Sequence, residues 1–340
     1  MKLAHVLGLF GSLCASHLVS TSSAEAQTRP QVASRSFCAP RTFTNPILVS
    51  GNDPWVLRHK GYYYYCGSSG GQIFVGKSRD LTGIGSYTKA AFIPPPNLPY
   101  SRDMWAPEIH FFDGKWFIYF AADDGKNENH RMYVLRSKTD DAQSEYEVMG
   151  PLDTGNRWAI DGNVFQWNKK FYFTWSGWEG TENTAQNLYI APMSNPWTIS
   201  GPRVLISRPE LPWELNGKPF INEGPTALIH KKRLFIVYSA SGSWSDDYCL
   251  GRLDFTGGDV LSPQNWQKFP QAVFARTNQV FGPGHASFVN DGHRDWIVYH
   301  SARQKGSGWT RVVRTQPFTW NPDGTPYFGA PLPSGVPLPY

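Results

Sequence analysis

Five times along the chain, a short segment with a polar lead residue is followed by a turn, an apolar strand, a loop and a further strand. The lead segments are Gly51-Asn52-Asp53-Pro54-Trp55, Met104-Trp105-Ala106-Pro107-Glu108, Ala159-Ile160-Asp161-Gly162-Asn163, Ile221-Asn222-Glu223-Gly224-Pro225 and Gly282-Pro283-Gly284-His285-Ala286. The strands after them read YYYYCG, KWFIYFAA, KFYFTWS, RLFIVYSA and DWIVYHS. Asp113-Gly114 and Asp291-Gly292 are turns of the kind that close tight hairpins. The leads Asp53, Glu108, Asp161, Glu223 and His285 lie 55, 53, 62 and 62 residues apart. Units of strand, turn, strand, loop and strand repeating every 50 to 60 residues or so are the sequence form of propeller blades. No 3.6-residue period competes over any comparable stretch. The expected fold is therefore all-β: a five-bladed β-propeller, one domain over residues 44–340.

Composition agrees. Aromatic residues make up 15% of the 340 and charged residues only 17%, beside 32 Gly and 27 Pro, which suits a turn-rich β protein. The net charge of +5 is spread thinly. Its longest basic run, Lys231-Lys232-Arg233, sits between apolar pairs like a solvated hairpin turn, so no nucleic-acid partner is expected. At the N-terminus, Lys2, an apolar run over residues 3–13 and Ala24-Glu25-Ala26 have the layout of a secretory signal peptide covering residues 1–26. Residues 27–43 read as an irregular lead-in. No later apolar run approaches the roughly 18 residues of a membrane span. A secreted monomer is expected, without N-glycosylation sequons. Cys38, Cys66 and Cys249 would remain after cleavage, an odd number whose spacing suggests no zinc site and leaves one disulfide or none.

The first strand of a propeller blade lines the central channel, so the five leads would point several carboxylates and one His at a common axis. Like charges in a narrow, partly dry site cannot all ionise freely, and their pKa values split. Glu223, among apolar residues, is the natural candidate for a raised pKa and general-acid work. One protonated and one ionised carboxyl facing the same bond are the minimum for glycoside hydrolysis. Spacing alone decides neither which carboxylate plays which part nor the stereochemical outcome.

Taken together and in order, the five lead segments resemble those of glycoside hydrolase family 43 over about residues 45 to 320. The resemblance implies an inverting mechanism with Asp53 as general base, Glu223 as general acid and Asp161 holding the pKa of Glu223 up. It implies no cofactor for the chemistry, and a calcium or other ion, or a water cluster, in the channel at His285. The pairing of Asn222-Glu223-Gly224-Pro225 with Ser239-Ala240-Ser241-Gly242-Ser243-Trp244 and with the His285 segment is most similar to the exo-acting α-1,5-L-arabinofuranosidase branch. Plant cell-wall arabinan or arabino-oligosaccharides are the substrates this implies. Endo-arabinanase, arabinoxylan-debranching arabinofuranosidase, β-xylosidase or fructoside hydrolase are alternatives within enzymes, and a silent sugar-binding propeller outside them.

Further expectations attach to single residues. Trp105 is expected to stack on a sugar at the channel mouth or to pack between blades. Arg303 is expected to donate to a sugar hydroxyl or a channel carboxylate, with Ser176, Trp178 and Asn222 bordering the site. His110 and His300 read as structural histidines. Residues 93–102 and 179–186 are the candidate walls of the cleft.

Overall fold

The strand RLFIVYSA shows why no repeat can stand alone. Successive side chains of a strand point to opposite faces. Phe235 and Val237 accordingly pack on one side with Ile297 and Tyr299, while Leu234, Ile236 and Tyr238 pack on the other with Leu188 and Ile190. A sheet apolar on both faces must be covered on both, and each repeat is covered by its two neighbours. The computed structural model of the protein describes residues 41–340.

Five antiparallel blades follow one another along the chain, the third and fourth joined by a short parallel pairing of Ala185 and Gln186 with Phe220 and Ile221. The first blade is Trp55–His59, Tyr62–Ser69, Gln72–Ser78 and Thr88–Phe92. The second is Arg102–Phe112, Lys115–Asp123, Arg131–Ser137 and Tyr146–Pro151. The third is Ala159–Trp167, Lys170–Gly177 and Ala185–Asn195, edged by the short strands Thr198–Ile199 and Val204–Ser207. The fourth is Phe220–His230, Arg233–Ala240, Cys249–Phe255 and Trp266–Lys268, and the fifth Gly284–Asn290, Asp295–Ala302, Arg311–Trp320 and Pro326–Tyr327. Each blade thus has outer strands beyond the three read from sequence. The first strands touch in a closed ring, each against the next and the fifth against the first. Five apolar clusters fill the five gaps between neighbouring blades. Much of the aromatic content goes there, including the fully buried Trp116, Trp175, Tyr119 and Tyr299.

The ring is closed by the chain ends. Thr42–Phe43 pairs antiparallel with Leu338–Pro339, so the propeller begins slightly before residue 44 and takes in the end of the expected lead-in. Buried Asn45 then bridges to the fifth blade: its side-chain amide donates to Thr315 O (2.8 Å) and accepts from Thr315 N (2.9 Å). Asn45→Ala strands two buried backbone groups, each worth about 1 to 3 kcal/mol, so a loss of about 2 to 6 kcal/mol is expected. The denaturant midpoint reads this, and an unchanged midpoint would mean that closure rests elsewhere. Cys66 and Cys249 are buried and not bonded to each other. The expected signal peptide and Cys38 lie outside the described residues.

One backbone feature recurs at the top of all five inner strands. Asp53, Ala106, Asp161, Gly224 and His285 adopt left-handed φ angles of 45°, 42°, 56°, 55° and 45°. In blades two to five these residues sit in a register shift of the first hairpin. A bulge of this kind bends a strand and re-aims a side chain. Only Gly takes such a φ freely, and Asp tolerates it better than Ala or His. The expected alignment of leads is corrected accordingly. Asp53, Asp161 and His285 are equivalent, Glu223 precedes the equivalent Gly224 by one residue, and Glu108 follows Ala106 by two.

Candidate active site

The corrected register separates two levels in the channel. Asp53, Asp161, Glu223 and His285 line a cleft of about 460 Å³ at one mouth, with Asn52, Trp105, Trp158, Gln186, Trp244, Trp309 and Arg311. Glu108 belongs to a deeper level and is buried, accepting from Asn163 Nδ2 (2.7 Å) and lying 3.0 Å from His110 Nε2. Burial pushes its carboxyl well above the usual range.

Asp53 caps the first blade. Its Oδ1 lies 3.2 Å from His300 Nδ1, 3.3 Å from His285 Nδ1 and 3.4 Å from Arg311 Nη1, and its backbone N–H donates to His300 Nδ1 (3.1 Å). Burial opposes ionisation, yet His285, His300 and Arg311 together hold the Asp53 carboxyl well below the ordinary carboxylate range. Burial pushes His285 down, and His300 down to about 3. Near neutrality both rings are therefore uncharged polar neighbours, and Arg311 supplies the standing positive charge.

Asp161 accepts from the backbone N–H of Gly224 (3.0 Å), the residue after Glu223. That bond ties the third blade to the fourth beside the Glu223 side chain. Glu223 accepts from Tyr248 Oη (2.8 Å). Burial, with a smaller push from Asp53, raises the Glu223 carboxyl to about 7 against Tyr248 and Arg311. Burial and the charges of Glu223 and Asp53 push Asp161 well above its usual value. Two such carboxyls titrate as a pair, and near neutral pH that pair retains a proton. An ionised Asp53 facing a protonated partner is a base and an acid in one cleft.

A pH dependence follows. Activity that needs protonated Glu223 falls as pH rises through about 7. The Tyr248 hydroxyl stabilises the ionised form, so Tyr248→Phe removes a pKa-lowering bond and moves the alkaline limb of kcat/KM to higher pH. A limb that stays in place or moves down would separate Tyr248 from this titration.

Trp105 lines the cleft with its ring stacked on His130 at 3.9 Å. His130 Nδ1 in turn lies 3.1 Å from Asp123 Oδ2 and is fully buried. The other expected substrate contacts fall elsewhere. Ser176 is buried and donates to Asn222 O (2.9 Å), and Asn222 accepts from Ser207 Oγ (2.7 Å) and donates to Glu214 Oε1 (2.9 Å). Neither lines the cleft, and both take part in the buried bonds around the Glu223 strand. Trp178 is buried against Trp158, the rings 4.8 Å apart, and Trp158 faces the cleft in its place. Arg303, just past the strand Asp295–Ala302, turns outward and donates to Val49 O (2.9 Å). Arg311, paired with Ala302 across the hairpin, faces the axis instead. His300 is not merely structural, since it touches Asp53. Of the expected walls, residues 179–186 supply Asn183 and Gln186, while residues 93–102 supply nothing to the lining.

Glu214 and Arg311 escaped the sequence reading. Glu214 is fully buried, accepting from Tyr238 Oη (2.9 Å), Asn222 Nδ2 and Lys268 Nζ (2.9 Å). The one available signal was Arg311 opening a strand directly after the loop of the His285 repeat. Nothing local marked Glu214. The Nδ1 of His285 faces Asp53 at 3.3 Å. Among the described residues no group of three or more His, Cys, Asp or Glu side chains is arranged to hold an ion.

The chain has relatives among known proteins. An extracellular exo-α-(1→5)-L-arabinofuranosidase of Streptomyces avermitilis is 36% identical over 318 residues, covering 87% of this chain and 65% of the relative. The chain thus spans just under two thirds of that protein's length. Another extracellular exo-α-(1→5)-L-arabinofuranosidase, of Streptomyces chartreusis, is 33% identical and covers 78% of this chain and 84% of the relative. The crystal structure of an α-L-arabinofuranosidase from Lactobacillus brevis superposes with a TM-score of 0.80 at 35% identity, over 86% of this chain and 98% of that one. The family model for glycosyl hydrolases family 43 matches residues 43–326, spanning all five blades, and the chain belongs to that family.

Proposed function

We propose that the protein is a secreted, inverting exo-α-1,5-L-arabinofuranosidase that removes terminal arabinofuranose from arabinan and arabino-oligosaccharides, acting as a monomer. The observation that carries the reading is the opposed ionisation of Asp53 and Glu223 within one cleft. Asp53 takes a proton from a water molecule whose oxygen attacks the anomeric carbon. Glu223 gives its proton to the departing glycosidic oxygen as the C–O bond breaks. Asp161, coupled to Glu223, shares with it the proton that the pair retains near neutrality, and that proton is delivered through Glu223 when the leaving oxygen needs it. Both carboxyls then reset by proton exchange with solvent. Arg311 fixes the Asp53 carboxylate and keeps it ionised, while the uncharged His300 ring accepts from the Asp53 backbone N–H and orients the residue. The names of the two Streptomyces relatives support the linkage, the exo action and the export.

A substrate panel tests the reading: debranched arabinan, α-1,5-arabino-oligosaccharides, arabinoxylan, sucrose and an aryl xyloside. Arabinose alone, released one residue at a time from the first two, is the expected result. Release confined to arabinoxylan, or xylose from the xyloside, would overturn the specificity. Binding of arabino-oligosaccharide with no turnover would overturn the enzyme.

A further inference from the structure

Inner strands of neighbouring blades lie side by side around the channel, yet among the described residues none pairs with the next through its backbone. Buried backbone groups on those edges need other partners. One level below the cleft, side chains bridge every gap. Trp55 Nε1 donates to Ile109 O (2.7 Å), from the first blade to the second. Asn163 Nδ2 donates to Glu108 Oε2 (2.7 Å), from the third to the second, and Asn163 Oδ1 accepts from Ala227 N (3.0 Å) on the fourth. Thr226 Oγ1 donates to Ala286 O (2.8 Å), from the fourth to the fifth. Ser287 Oγ donates to Pro54 O (2.8 Å) and accepts from Val56 N (3.1 Å), from the fifth back to the first. The bonds form a closed belt.

Asn163 differs from the rest of the belt, because its one amide holds two other blades at once. Polarity fixes its orientation. The Ala227 N–H can only donate, so Oδ1 faces it, and Nδ2 is left to Glu108, which must offer an acceptor. Asn163 and Glu108 are both buried. Their place in the register gives the bonds a consequence for the site. In the third blade the first hairpin slips between Ile160 and Asn163, and in the fourth between Glu223 and Thr226. Asp161 lies inside the first slip and Glu223 opens the second. Above the slips, Gly224 N donates to Asp161 and ties the two strands together. Below them, Ala227 N and Asn163 do the same. Resting on the hydrolase reading above, we propose that Asn163 and Glu108 are positioning residues, whose bonds to Ala227 and to each other set the separation of Asp161 and Glu223. That task asks for an acceptor oxygen on Glu108 and no charge, in keeping with a carboxyl that burial pushes well above the usual range.

The test follows the proton that Asp161 and Glu223 share. A like charge held close keeps it bound, so loosening the pair releases it at lower pH. Asn163→Ala is expected to lower kcat on α-1,5-arabinotriose about tenfold with KM within about twofold, and to move the alkaline limb down by about half a pH unit. On α-L-arabinofuranosyl fluoride, which needs no proton from Glu223, the loss should stay within about threefold. Glu108→Met keeps the volume, removes the acceptor and should move the limb the same way, so either variant serves if the other fails to fold. Glu108→Gln keeps an acceptor oxygen and should recover both the rate and the limb. Trp55→Phe cuts the belt between the first and second blades, and should lower the denaturant midpoint without moving the limb. A limb left in place by Asn163→Ala or Glu108→Met would overturn the proposal in favour of a purely structural belt. A limb moved as far by Glu108→Gln as by Glu108→Met would assign the effect to charge and overturn it as well. Wild-type protein inert on both substrates would instead remove the hydrolase reading on which it rests, so the two failures are told apart.

Discussion

Glu223→Ala is expected to lower turnover of α-1,5-arabinotriose by about 10³-fold while sparing α-L-arabinofuranosyl fluoride to within about tenfold. The asymmetry comes from the leaving group. An alkoxide departing from arabinotriose is a strong base and needs the proton that a carboxyl raised to about 7 can hold and deliver. Fluoride departs without one. On the fluoride, which needs no proton from residue 223, neither the wild type nor this variant should show the alkaline limb. A comparable collapse on both substrates would mean that Glu223 supports the structure of the cleft and is not its acid. Glu223→Ala removes the acceptor of the Tyr248 hydroxyl, while the Gly224–Asp161 bond does not involve the Glu223 side chain and is kept.

Asp53→Asn should act differently, lowering turnover by about 10³-fold on every substrate whatever its leaving group, since each needs an activated water. The amide matches the carboxylate in shape and can still meet His285, His300 and Arg311, so the fold is expected to be retained. What it loses is the ability to accept a proton. It also leaves Arg311 without its anionic partner, so part of the loss reflects a cation facing the cleft unpaired. A loss limited to substrates with poor leaving groups would move the general base away from Asp53.

The blade count was legible because each repeat announces itself locally. A hairpin turn and an apolar strand with two-residue alternation need no distant partner to be read. The inner-strand register was not legible, because the left-handed bulge at Asp53, Ala106, Asp161, Gly224 and His285 carries no common residue type. Glu108 and Glu223 therefore looked equivalent, although one lies below the cleft and the other lines it. Asp53, Asp161 and Glu223 could be named from their motifs, but their different ionisation is a product of neighbours far along the chain. Arg311 is 258 residues from Asp53, and Asp161 is 63 residues from Gly224. Asn222 adjoins Glu223 in sequence and misses the cleft in space, because one step along a strand reverses the face, while Ser176 is bonded to Asn222 and Trp178 is packed against Trp158. Residues that brace the site, such as Glu214, and residues that wall it, such as Trp309, are fixed only once the ring closes.

The account rests on a water activated by Asp53 attacking opposite the bond that Glu223 protonates. Proton NMR of the first product released from α-1,5-arabinotriose, recorded before mutarotation, reads this directly. The β anomer of arabinofuranose appearing first is the expected result, and the α anomer appearing first would contradict it.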